Sequence, residues 1–117
     1  MRPMYHPDCE QISLPGVLYA LGDPIRLAIV RQLATRGEQN CCDFDFAIAR
    51  STMSHHFKIL RESGVVFSRK EGTQHLNSLR QQELDALFPG LLAVVLQAND
   101  SDACFGKAEP QLSKSRK

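Results

Sequence analysis

The chain of 117 residues has no apolar run long enough to cross a bilayer. Its opening, Met1-Arg2-Pro3-Met4-Tyr5-His6-Pro7, lacks the apolar core of a signal peptide. A cytoplasmic location is therefore expected. The formal net charge is only +1, so the chain as a whole is neither a polycation nor a polyanion. Cysteine is sparse. Cys9, Cys41, Cys42 and Cys104 are too few and too unevenly spaced for a secreted disulfide framework. In a reducing compartment they stay thiols unless they bind metal or respond to oxidants. Enzyme signatures are missing as well. There is no Gly-rich phosphate loop, no Ser/His/Asp arrangement and no carboxylate pair, and no base is positioned beside a cysteine. No internal repeat is present.

What remains is a small domain with unevenly placed charge. At 43% hydrophobic the chain can build one modest core, of the kind that dimerisation often completes. Residues 50 to 80 hold Arg50, Lys58, Arg61, Arg69, Lys70 and Arg80 against Glu62 and Glu71. That segment is net positive and the rest of the chain net negative, the distribution expected of a phosphate-binding face.

Local signals divide the chain. Residues 1–12 are Pro-rich and polar, and are expected to be a flexible segment. Leu14 to Gly22 reads as a short helix, with Pro15 in its first turn and Gly22 as its stop. Asp23 caps a second helix that has Pro24 at its first position. Ile25, Ala28, Ile29 and Leu33 mark its buried face, widened by Leu27, Val30 and Ala34, and it ends near Gly37. Residues 38–50 read as irregular or a short helix, with Phe44 and Phe46 as core. Ser51 is the expected cap of a third helix, which buries Met53, Phe57 and Leu60 and stops at Gly64. Val65 to Lys70 and His75 to Leu79 form a β-hairpin around Glu71-Gly72-Thr73. Gln81 to Phe88 is helical and breaks at Pro89-Gly90. Leu91 to Ala98 is nearly all apolar and needs a cover, for which a partner subunit is expected. Residues 99–117 read as a flexible polar tail. The domain proper is thus 13–98, mainly α with a β-hairpin, in the order of a winged helix-turn-helix.

The third helix carries the chemistry. A recognition helix contacts base edges with its first turn or two, and Ser51, Thr52, Ser54 and His55 occupy those positions. His56 and Lys58 fall nearer the DNA backbone, and Arg69 and Lys70 on the hairpin can reach a neighbouring phosphate or the minor groove. Adjacent helical residues point about 100° apart, so His55 and His56 do not converge on one ion. A protein-interaction module is the rival class, and the basic hairpin argues against it.

Three segments resemble the ArsR/SmtB family of winged-helix repressors: Ala20-Leu21-Gly22-Asp23-Pro24-Ile25-Arg26-Leu27, Ser54 to Val65, and Arg69-Lys70-Glu71-Gly72. The similarity covers roughly residues 14–98. It implies a homodimer built through terminal helices and a double-stranded DNA operator that is released when an inducer binds. Family members that sense soft metals carry two cysteines separated by one residue and followed by Asp. Cys42-Asp43 fits that pattern, while Asn40 stands at the first cysteine position and Cys41 in the gap. The family's other metal site, on the C-terminal helix, uses His, and residues 82–104 contain none. Three readings of the thiols stay open. Cys41, Cys42 and a third ligand, Cys104 or Cys9, can hold As(III) or another thiophilic ion as inducer. Cys41 or Cys42 can pair with Cys104 as a thiol switch. Or the cysteines are small buried hydrophobes without a sensory role.

Overall fold

The computed structural model describes residues 6–101, with side chains as far as 98. Helices α1 (Leu14–Leu21), α2 (Pro24–Arg36), α3 (Arg50–Ser63), α4 (Gln81–Leu87) and α5 (Leu91–Ser101) surround a small antiparallel sheet. Its strands are β1 (Gln39–Asn40), β2 (Val66–Glu71) and β3 (Gln74–Leu79), in the order β1-β3-β2. This is the expected winged helix-turn-helix, with one strand beyond the hairpin.

Three helix boundaries have a clear local cause. Ser13 Oγ accepts from Gly16 N at 3.1 Å and starts α1. Asp23 Oδ2 accepts from the amides of Ile25 and Arg26 at 2.9 and 3.1 Å and starts α2, with Pro24 pre-set for the first turn. Gly64, at φ +91°, closes α3, and the Val65 amide reaches back to Leu60 O at 3.0 Å. A Cβ on Gly64 would lie 2.5 Å from the Ile12 side chain, so glycine is required there by both conformation and space.

The core gathers on α2. Ile29, Val30, Val17, Leu60, Val65 and Val66 are fully buried, each stabilising the fold by about 1.5–3 kcal/mol. Phe57 and Leu60 sink α3 into this layer, and Leu84 and Leu92 tie down α4 and α5. In the hairpin, Val66 faces Leu79 and Glu71 faces Gln74 around the two-residue turn Gly72-Thr73. Inside the ladder, Ser68 Oγ donates to Asn77 Oδ1 at 2.6 Å, with both residues only 3% exposed.

Several expectations need correction. Ser51 does not cap α3. The helix starts two residues earlier than that cap implies, at Arg50, and its cap residue is Ala49, whose carbonyl accepts from Met53 N at 3.0 Å. Ser51 therefore stands inside the first turn. Residues 38–50 include a strand, because Gln39 and Asn40 pair with Asn77 and Leu76. A 3₁₀ turn at Cys41–Asp43 follows, capped by Asn40. Residues 6–12, expected to be loose, are held. His6 Nε2 accepts from Ser68 N at 3.0 Å, and its ring stacks on Phe67. Arg80 donates to Pro7 O at 2.9 Å. Helix α5 runs on to Ser101. The remainder of the polar tail, with Cys104, lies outside the described residues.

Candidate nucleic-acid interface

Helix α3 presents two outward strips. Ser51, Thr52, Ser54, His55 and Lys58 are all exposed, as a helix entering a groove needs. Ser54 and Lys58 turn toward the sheet, where Arg50, Arg61 and His75 join them around one concavity. Sequence reading missed those last three as site residues. The spacing from Arg50 through Ser54 and Lys58 to Arg61 was the available signal, since it defines one helical strip.

His56 points the other way. It is half-buried against α2, with Nδ1 3.2 Å from an Arg26 guanidinium nitrogen and 3.9 Å from Asp23 Oδ2. Arg26 is itself only 6% exposed. Its Nε donates to Ala20 O at 2.7 Å and a terminal nitrogen to Tyr19 O at 3.1 Å. The guanidinium also lies 5.2 Å from the Tyr19 ring centre, within cation–π range. One arginine thus satisfies carbonyls at the end of α1 and braces α3 through His56. A guanidinium has only donors, so Nδ1 must accept and the imidazole proton sits on Nε2. Burial is the main cause that lowers the His56 pKa, with Arg26 and His55 adding to it and Asp23 opposing.

The hairpin cations are placed differently. Arg69 is bidentate to Glu38, at 3.2 and 3.1 Å, and also meets Glu71 at 3.0 Å. The two carboxylates raise its already high pKa, chiefly by hydrogen bonding to Glu38. Lys70 is exposed beside it.

Cys41 and Cys42 are exposed free thiols on the 3₁₀ turn. They border a cavity of about 320 Å³ that is otherwise lined by Phe44, Phe46, Ile48 and Met53 among others. Desolvation, followed by the neighbouring Cys42, raises the Cys41 pKa and so disfavours its thiolate. Among the described residues, no three His, Cys, Asp or Glu side chains are grouped to hold one metal ion.

Comparison with known proteins places this geometry. Residues 23–68 match the family of bacterial regulatory proteins described as the arsR family. The HTH-type transcriptional regulator YceK of Bacillus subtilis is 37% identical over 65% of this chain and 79% of its own length. An arsenical resistance operon repressor of Staphylococcus xylosus is 38% identical over 62% of this chain and 71% of its own. Among solved structures, the transcriptional repressor BigR from Xylella fastidiosa superposes with a TM-score of 0.56 at 24% identity, over 82% of this chain and 88% of that one. A possible transcriptional regulator for arsenical resistance gives 0.55 at 30% identity, over 78% and 98%. Fold, helix placement and sequence agree: the chain belongs to the arsR family of bacterial regulatory proteins and is a DNA-binding transcriptional regulator, not an enzyme.

Proposed function

We propose that this protein is a homodimeric repressor that reads an operator with one α3 helix from each protomer. In this reading Ser51, Thr52, Ser54 and His55 meet base edges in the major groove, and Lys58, Arg69 and Lys70 meet the backbone. His56, expected nearer the DNA backbone, acts instead from beneath the recognition helix, bracing α3 on Arg26. Residues 13–98 form the DNA-binding and dimerisation unit. The observation that carries the reading is an α3 anchored by Phe57 and Leu60, with its polar first turns left exposed. The dimer reading rests on the apolar side chains left outside by α1 and α5: Leu14, Leu18, Tyr19 and Val94. A cytoplasmic location follows from a DNA partner.

The Staphylococcus xylosus relative is an arsenical resistance operon repressor, which supports repression as the outcome. Its name also supports an arsenite-type inducer; in this reading As(III) or another thiophilic ion is taken by Cys41 and Cys42, with Cys104 or Cys9 as third ligand. A Cys104 pairing that acts as an oxidant switch is the second thiol reading. A regulator without thiol sensing is the third reading; the expectation of buried cysteines needs correction, because Cys9, Cys41 and Cys42 are exposed.

Gel-shift titration against the DNA upstream of its own gene tests the first reading. Binding should weaken steeply with salt, and the absence of salt-sensitive binding would sink it. For the inducer, Cys42→Ser should keep operator binding and lose release by arsenite. Release that persists in a variant lacking all four cysteines would leave the thiols as bystanders.

A further inference from the structure

The strip of α3 turned toward the sheet carries cations that the fold does not use. Arg50, Ser54, Lys58 and Arg61 follow one another along it, and Ser68, His75 and Asn77 stand opposite on β2 and β3. Together they enclose a concavity of about 500 Å³ with Phe57 also in its wall. Among the described residues, no carboxylate lines it. Arg50, Lys58 and Arg61 have no ion-pair partner among the described residues. Arg61 Nε is buried without a hydrogen-bond partner among those residues, an arrangement that costs stability.

Three like charges converging on one hollow repel each other. An anion with several acceptor oxygens relieves that repulsion and accepts from the guanidinium and ammonium donors around the hollow. Arginine presents a planar fork and lysine a compact point charge, the pairing that suits a tetrahedral oxyanion. Phe57 does not compete for those oxygens, and the hydroxyl of Ser54 adds a donor.

We propose that this concavity is an oxyanion site for a phosphate-class group, held by Arg61 and Lys58 with Arg50 beside them. Two sources share that chemistry: a backbone phosphodiester of the operator, or a free phosphate. The first source rests on the DNA-binding reading and the second does not. With one pocket for both, free phosphate competes with DNA beyond its contribution to ionic strength.

Two titrations test the site. In the first, inorganic phosphate is added to the labelled full chain and backbone amide shifts are followed by NMR, with sodium chloride at matched ionic strength as control. Saturable shifts at Ser54, Lys58, Arg61 and His75, lost in Arg61→Gln and in Lys58→Gln, support a free oxyanion. In the second, operator affinity is measured against salt. A salt slope smaller by about 1 in each variant supports the backbone phosphodiester. Wild type with operator binding intact, no saturable phosphate shifts and an unchanged slope in folded variants overturns the proposal while leaving DNA binding standing. If wild type binds no DNA, the DNA reading fails and the phosphate titration alone decides. Should Arg61→Gln not fold, the exposed Lys58→Gln carries both readouts.

Discussion

The hairpin tip and the sheet-facing strip of α3 are both basic in sequence and opposite in structure. At the hairpin, Arg69 is clamped between Glu38 and Glu71. On α3, Lys58 and Arg61 face a hollow without a carboxylate. A charge count treats these residues alike, but an approaching phosphate does not. The field of a paired arginine is largely cancelled at a distance, whereas that of an unpaired cluster adds up. Arg26 is a third case, a buried guanidinium whose donors are all directed inward. Position in the fold therefore sorts these cations into buried, clamped and unpaired ones.

Substitutions sharpen that sorting. The largest effect is expected at Arg26→Met, which leaves Tyr19 O and Ala20 O without their donor and frees His56. Urea denaturation should show a loss of about 3 kcal/mol. A loss below about 1 kcal/mol would mean that Arg26 is no brace. Next comes the double variant Lys58→Gln/Arg61→Gln. Its operator affinity should fall by roughly 30-fold near 0.15 M salt, since each neutralised phosphate adds about 0.9 to the salt slope. An effect no larger than that of Arg69→Gln would erase the distinction between the two regions.

How much of this was legible in the sequence depended on range. The caps at Asp23 and Gly64, the hairpin around Gly72 and the break at Pro89-Gly90 are short-range signals, and each was readable. The strand at Gln39-Asn40 was not, because only its pairing with Asn77 and Leu76 makes it one. The same holds for Glu38 on Arg69, a contact 31 residues apart, and for Arg26 on His56, 30 apart. The α3 strip lay between these cases. Its spacing was visible in the sequence, but the absence of acids opposite it was not. Ser51 was misjudged as a cap because its hydroxyl suits that role, while the chain enters the helix two residues sooner, with Ala49 as cap.

Two smaller effects complete the series. The His56 pKa is lowered by burial, so the unfolded chain binds a proton that the folded one refuses. Stability from this group is therefore complete above the ordinary histidine value of about 6.5 and is lost as pH falls toward the folded value. Thermal melts from about pH 7.5 to about pH 5.5 should show wild type losing more stability than His56→Gln. Identical pH profiles would remove His56 from the brace. The smallest change is expected for Arg69→Gln, at most about threefold in operator affinity, because an exposed ion pair is already screened by water and salt. Replacing Glu38 with Gln provides the counter-test: affinity should rise slightly as Arg69 is partly released.

The short segment that ends at Ile12 has a consequence outside DNA altogether. Strand β2 forms one border of the sheet, and the His6 ring occupies the Ser68 amide on that border. A bare strand border is a template on which another chain can add itself, the first step of edge-to-edge aggregation. Residues 6–12 act here as a selvedge that keeps the fabric from being extended. Trimming the chain to its helical domain would leave every recognition residue in place and open that border. The shortened protein would be the one to watch for precipitation.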